Sequence, residues 1–344
     1  MALKPPVEVP QGAIRLNTDS QKLEFFAQDQ WWEMATSAAL TTGSGRAVFG
    51  GSYNYPGNCV DVIDYIQIST QGDAIDFGNL TQSQGTGTSF GSVTRAIWAG
   101  GATNGGPKQN NIQYVEIPTA GNATDFGDMT YSAGHGVGGC SNQVRGLNAG
   151  GNPQTNTINY VTIASKSNAI DFGDITNARY GLGGVASQTR GVFSYGDLGP
   201  AFTNIMDYVT IASTGNAQDF GDYTGGTSSG TGGSSNNTRG LWCGGTPSGE
   251  PIHYITIATT GNSTDFGNTW IAHSSKSQNR FAAGAGGPTR AIWCGGYQWT
   301  SPSGTTNNVI SYSTYSTLGN TADFGDLTGS YSQHYGTSNC HGGL

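Results

Sequence analysis

Residues 94–101 read TRAIWAGG, 111–117 NIQYVEI, 121–130 GNATDFGDMT and 134–142 GHGVGGCSN. The first is an apolar run closed by two glycines. The second alternates apolar and polar side chains, the period-two mark of a half-buried strand. The third turns at Gly121-Asn122 and runs into another short strand. The fourth is a strand of small residues that leads to the next arginine, Arg145. Four short strands with turn residues between them are expected in this one unit.

The unit recurs. Asp-Phe-Gly occurs six times, beginning at Asp76, Asp125, Asp171, Asp219, Asp265 and Asp323. An arginine keeps step with it at Arg46, Arg95, Arg145, Arg190, Arg239 and Arg290, with spacings of 49, 50, 45, 49 and 51. A tyrosine column follows at Tyr65, Tyr114, Tyr160, Tyr208, Tyr254 and Tyr312. Four strands in about 49 residues make one propeller blade. The glycine-rich strand is expected innermost, where blades crowd the axis. The Phe of Asp-Phe-Gly and the column tyrosine are expected between blades, with the Asp bonded to nearby backbone in a turn.

The first unit starts at its arginine strand, GRAVFGG, and the sequence finishes on a glycine-rich strand, HYGTSNCHGG. What is missing at one end is surplus at the other. The expected fold is therefore all-β: a six-bladed β-propeller over residues 45–344, in which residues 331–344 complete blade one. An open array would leave two exposed edges, an aggregation liability.

A glycine-rich strand, an apolar strand ending in Gly-Gly, a tyrosine strand and an aromatic strand together resemble the kelch repeat, from about Gly45 onward. Two departures stand out. Phe replaces the usual tryptophan of the last strand, and the fourth unit has Tyr195-Gly196 where Gly-Gly is expected. The close mutual identity of the units is similar to repeats in structural proteins of tailed bacteriophages.

Residues 1–35 differ in kind. GAIRLNT, KLEFFA and WWEMA read as a small three-stranded meander, followed by a linker at 36–44. The segment resembles a module near the ends of phage tail-fibre and other virion proteins. That resemblance implies docking or oligomer formation; Phe25, Phe26, Trp31 and Trp32 are the candidate docking residues, the alternative being that the module packs on the propeller. Strict alternation puts one member of each aromatic pair on either face.

Composition narrows the function. The 344 residues include 56 glycines and only 10% charged residues, with a formal net charge of −8. Such a chain is not expected to bind nucleic acid or anionic lipid through charge. No apolar run reaches the roughly 18 residues of a membrane span, and MALKPPVEVPQG has no apolar core of a secretory leader. The five cysteines, Cys59, Cys140, Cys243, Cys294 and Cys340, form no C-x-x-C pair. They are expected as small buried residues in a reducing compartment.

No catalytic residue is proposed. Six copies of Asp-Phe-Gly without a lysine strand or catalytic loop exclude a kinase. The kelch resemblance also reaches galactose oxidase, so a copper oxidase or another glycan-active propeller is the alternative. His135, His253, His273, His334 and His341 show no metal-ligand spacing. No metal or cofactor is expected, and calcium at the Gly-Asn-x-x-Asp-Phe-Gly turns stays open.

Binding is expected where the repeat breaks. The first unit has SYNYPGN and the sixth YQWTSPSGTTNN, and closure makes these units neighbours. Tyr53, Tyr55, Tyr297 and Trp299 would gather on one rim, suited to sugar stacking or a protein contact. The expectation is a non-enzymatic virion protein, assembled in the host cytoplasm and oligomeric in the particle. It would dock on other virion proteins through its N-terminal module. Its propeller would meet a host glycan, a receptor or another protein.

Overall fold

The computed structural model describes residues 9–17, 22–33, 45–54, 58–85, 87–226, 230, 232–243, 251–269, 278–280, 282–300, 303–332 and 334–344. Among them there is no helix, and all strand pairing is antiparallel. The chain separates into two compact units, Met1–Gly43 and Ser44–Leu344. The expected linker at 36–44 lies outside the described residues.

The large unit repeats one four-stranded sheet. The second sheet is typical: Thr88–Gly91, Arg95–Ala102, Lys108–Glu116 and Thr124–Ala133, in that spatial order. Each repeat after it builds the same ladder, and the sixth adds a hairpin. The first sheet takes its inner strand from the far end of the sequence. Tyr335–Ser338 pairs with Arg46–Tyr53, Tyr335 opposite Gly50 and Ser338 opposite Ala47. The architecture is all-β and propeller-like.

Each sheet packs on the next through the same side chains. The arginine guanidinium lies over its own column tyrosine, with centroid distances of 4.7–4.9 Å in all six repeats. Its Nη1 donates to a carbonyl of the next sheet: Arg46 to Ile117, Arg95 to Ile163, Arg145 to Ile211, Arg190 to Ile257 and Arg239 to Tyr315. Arg290 of the sixth sheet donates to Ile68 of the first. A planar, always-charged fork suits this double task better than lysine would.

The Phe of Asp-Phe-Gly is buried in every repeat and meets the column tyrosine edge to face at 5.7–6.0 Å. Phe126 packs with Val161 and Ile163 of the following sheet, as expected of a residue between sheets. The tyrosines are only half-buried. The motif aspartates are exposed, and the turn bond belongs to a different residue. Asn122, Asn168, Asn216, Asn262 and Asn320 each accept, through Oδ1, a backbone N–H of the preceding sheet at 2.9–3.1 Å. Asp73 does the same for Asp326.

Crowding explains the glycine-rich inner strands. A methyl group on Gly184 would lie 2.1 Å from the Gly139 carbonyl oxygen. On Gly233 it would lie 2.2 Å from that of Gly184, and on Gly284 2.2 Å from that of Gly233. Tyr195, the departure from Gly-Gly, adopts φ 44° where Gly51, Gly100, Gly150 and Gly295 adopt 62–69°. Its ring is fully buried against Tyr223 and Trp242, which offsets a left-handed backbone costing about 1–3 kcal/mol.

The small unit is one antiparallel sheet of Ile14–Asn17, Lys22–Ala27 and Gln30–Glu33. Gln28 and Asp29 carry positive φ, 52° and 58°, and make the tight turn between its last two strands.

Candidate functional site

Two surfaces break the repeat. The first is the end of the large unit where the loops after the Gly-Gly positions emerge. Tyr53 ends its strand opposite Cys59 and bridges Ser332, with backbone bonds of 2.8 and 3.0 Å. Gly296 donates to the Tyr331 carbonyl at 2.8 Å, which brings Tyr297 beside the same segment. The first and sixth repeats therefore meet through this segment, and Tyr53 and Tyr297 are both half-buried. The sixth insertion is a hairpin, not an open loop: Tyr297–Thr300 pairs with Ser303–Thr314, with Trp299 opposite Gly304. Threonines and tyrosine at these positions favour strand. Tyr55 lies outside the described residues, as does the Trp299 side chain.

The same end of the neighbouring sheets is rich in amides and hydroxyls. Gln82 donates to Gln84 at 3.0 Å, and Gln84 donates to the Gly100 carbonyl. Further round, Lys108 Nζ donates to Asn152 Oδ1 at 2.5 Å, and Asn152 Nδ2 reaches His135 Nε2 at 3.0 Å. His135 meets the Tyr180 ring edge to face at 5.1 Å, and Tyr180 donates to Asp197 at 2.6 Å. Burial, then the Lys108 ammonium, holds the His135 imidazole below its ordinary range. The bond to Asp197 pushes the Tyr180 phenol up.

The second surface belongs to the small unit, where the two-face expectation holds. Ile14 stands opposite Phe25, Leu16 opposite Leu23 and Phe25 opposite Trp32, so these share one face. Ile14, Leu16, Phe25 and Trp32 are 64, 60, 38 and 47% exposed. The other face satisfies itself. Phe26 and Trp31 meet at 5.3 Å, Arg15 lies 4.0 Å over Trp31, and Arg15 pairs with Glu24 at 2.8 Å. Asn17 and then Arg15 hold the Glu24 carboxyl below its usual range.

The four described histidines each have separate partners. His334 Nε2 faces Cys294 Sγ at 3.3 Å, both buried, and burial pushes the thiol up and the imidazole down to about 3. That is a neutral pair without solvent access. His253 bonds Thr224 and His341 meets Gly91, while His273 lies outside the described residues. Among the described residues no three His, Cys, Asp or Glu side chains stand close enough to share a metal ion. Cys140, Cys243, Cys294 and Cys340 are buried and Cys59 is half-buried, all as free thiols.

Two contiguous cavities of ≈ 50 and ≈ 40 Å³ run between the inner strands, sharing Ser89, Gly139, Gly184, Gly233, Gly284 and Gly336. Strand parity explains their polar lining. Hairpin bonds such as Asn142 N–H to Arg145 carbonyl, repeated at Ser92, Ser187, Asn236 and Gly287 and matched between Asn339 and Arg46, fix which residues pair within the sheet. The alternate residues, Gly139 and Ser141 among them, turn their N–H and C=O off the sheet edge. A polar space of this volume has room for a few waters.

No family model matches the chain, and no curated protein matches it. One column escaped the sequence reading although its signal was present. Thr81, Thr130, Thr176, Thr224 and Thr328 lie four residues after the motif Phe. Each bonds a buried polar residue of the next sheet, as Thr81 does Gln113 and Thr176 does Asp207.

Proposed function

We propose that the large unit is a six-bladed kelch-like propeller closed by its last strand, and that the protein is a non-enzymatic structural component of a tailed-bacteriophage virion. The small unit docks on other virion proteins through the Ile14, Leu16, Phe25 and Trp32 face. The propeller turns its loop end, with Tyr53, Tyr297 and Trp299, toward a host-surface glycan. The observation that carries the docking role is the exposed apolar face of a three-stranded sheet, which is marginal in water without a partner. The glycan reading draws on aromatic rings beside amide and hydroxyl groups on one end of the sheets. Arginine bonds running from each repeat to the next, with Arg290 returning to Ile68, support the ring.

The test is binding of the purified full chain to polysaccharide from susceptible host cells, beside Tyr297→Ala and Trp299→Ala. Saturable binding by the parent, weakened tenfold or more in either variant, supports the reading. Absence of binding to any host surface, with copper bound at one equivalent, would replace it with the copper-oxidase alternative.

A further inference from the structure

After Tyr335–Ser338 completes the first sheet and Asn339 bonds Arg46, residues 340–344 leave that sheet and cross the inner-strand ends of the others. His341 Nε2 lies 3.1 Å from the Gly91 carbonyl of the second sheet and 3.2 Å from Ser141 Oγ of the third. Gly342 donates to the Ser235 carbonyl of the fifth at 2.9 Å. The Leu344 carbonyl accepts from Gln188, which follows the inner strand of the fourth, at 3.2 Å. Cys340 Sγ lies 3.9 Å from the Gly286 carbonyl of the sixth. One short segment thus touches all the sheets that its own strand does not belong to.

The fit is tight. A methyl group on Gly342 would lie 2.2 Å from the Asn236 carbonyl oxygen and 2.4 Å from that of Ala186. On Gly343 it would lie 1.7 Å from that of Ser141. These are backbone atoms, so only glycine fits. The segment also locks itself. Gly343 N–H donates to His341 Nδ1 at 3.1 Å, so the ring's proton sits on Nε2, aimed at Gly91. His341 also lines the larger inter-strand cavity.

We propose that His341–Leu344 is a built-in plug that seals the axial cavity at the end carrying the arginine turns, making it a blind pocket open only toward the Tyr53 and Tyr297 end. The plug joins the ring across its axis, in addition to the edge closure by Tyr335–Ser338. It also leaves the opposite, loop-bearing end as the only route for a ligand to the axis. The proposal rests on the propeller reading above.

The test uses the full chain and two measurements. In the parent, hydrogen exchange should find the amides of Gly342 and Gly343 as slow as those of Tyr335 and Thr337, the inner-strand residues that face the first sheet. Fast exchange at Gly342 and Gly343 with a protected inner strand overturns the plug alone. Fast exchange at all of them removes the propeller closure as well. In Gly343→Val, alkylation with iodoacetamide, mapped by mass spectrometry, should rise tenfold or more at Cys340, while Cys243 and Cys294 stay protected. If Cys340 reacts at the parent rate in a folded variant, residues 341–344 do not form a seated plug. Reaction at all buried cysteines reports unfolding, and the parent's exchange pattern then decides.

Discussion

Thr328 donates both its hydroxyl, at 2.7 Å, and its backbone N–H, at 3.2 Å, to the carboxylate of Asp64, tying the sixth sheet to the first. The same bridge recurs with changing chemistry. Thr81 binds Gln113, Thr130 N–H binds Asn159, Thr176 binds Asp207 and Thr224 binds His253. Asp207 also holds Arg179, fully buried, at 2.6 Å. Between the fifth and sixth sheets the order is reversed: Thr269 takes the place of Leu80, Met129 or Leu327, and Trp270 follows it. Thr269 Oγ1 and Ser311 Oγ are then buried without partners.

Thr269→Leu is expected to stabilise the large unit. The substitution removes a buried unpaired hydroxyl, which costs about 1–3 kcal/mol, and restores the residue type found at Leu80 and Leu327. Urea unfolding should show a gain of about 1 kcal/mol at unchanged m-value. A lower midpoint would mean the pocket is too tight for the larger side chain.

Asp64→Asn is expected to help at neutral pH and to be neutral in acid. Burial raises the Asp64 pKa, and the Thr328 bonds lower it only in part. A folded-state carboxyl with a raised pKa favours the protonated form, so its contribution is full below about 3.9, the ordinary Asp value. It is lost as pH rises through the folded value. Asparagine keeps an acceptor for Thr328, as Asn159 does for Thr130. The melting-temperature difference between variant and parent should therefore grow from near zero below pH 4 to its full size by pH 7. A difference that shrinks over that range contradicts the burial argument.

Much of this order was legible as columns. Arginine, tyrosine and Asp-Phe-Gly recur because each does the same job six times, so repetition exposed them before any contact was known. The Thr328–Asp64 bridge was harder to read, because its partner changes from Gln113 to Asn159 to Asp207 and shows no identity to align. The role of Asn122 was assigned to its neighbour Asp125, since both suit turns and only the distance to Asn79 separates them. The seat of residues 341–344 was illegible, because it depends on carbonyl oxygens from sheets distant in sequence. At the candidate site, the pairing of the first repeat with the end of the sequence was legible from what each end lacks. The hairpin at Tyr297–Thr300 was not, because SPSGTT reads equally as a loop.

Ending the chain at Tyr331 is expected to abolish soluble, cooperative folding. The strand Tyr335–Ser338 supplies the first sheet's inner edge, and Trp98 Nε1 of the second sheet donates to the Tyr335 carbonyl at 3.1 Å. Its loss leaves the Arg46–Tyr53 strand as a bare edge, a template for aggregation. Size-exclusion chromatography and a thermal melt decide it. A monomer with the parent's transition would show that closure contributes nothing.

Trp31 and Trp32 are adjacent in sequence and should behave oppositely. Trp31 sits on the self-satisfied face, beneath Arg15 at 4.0 Å and against Phe26 at 5.3 Å. An aromatic pair of this kind contributes about 0.5–1.5 kcal/mol and a cation–π contact about 0.5–1 kcal/mol, a large share of what holds three short strands. Trp31→Ser should therefore open the small unit, seen as rapid proteolytic cleavage before Ser44 with the large unit intact. Trp32 is 47% exposed, and its Nε1 bonds the Ala27 carbonyl within its own hairpin. Trp32→Ser should leave proteolytic resistance within about twofold, because the ring covers little of its own sheet. If the exposed face is the docking surface, the same variant should incorporate into particles at least tenfold less than the parent, the loss of an interface anchor worth about 2 kcal/mol. Normal incorporation of Trp32→Ser, with its sheet intact, would move docking off this face. Equal proteolytic sensitivity of the two variants would show that both tryptophans hold the fold and that neither face is free.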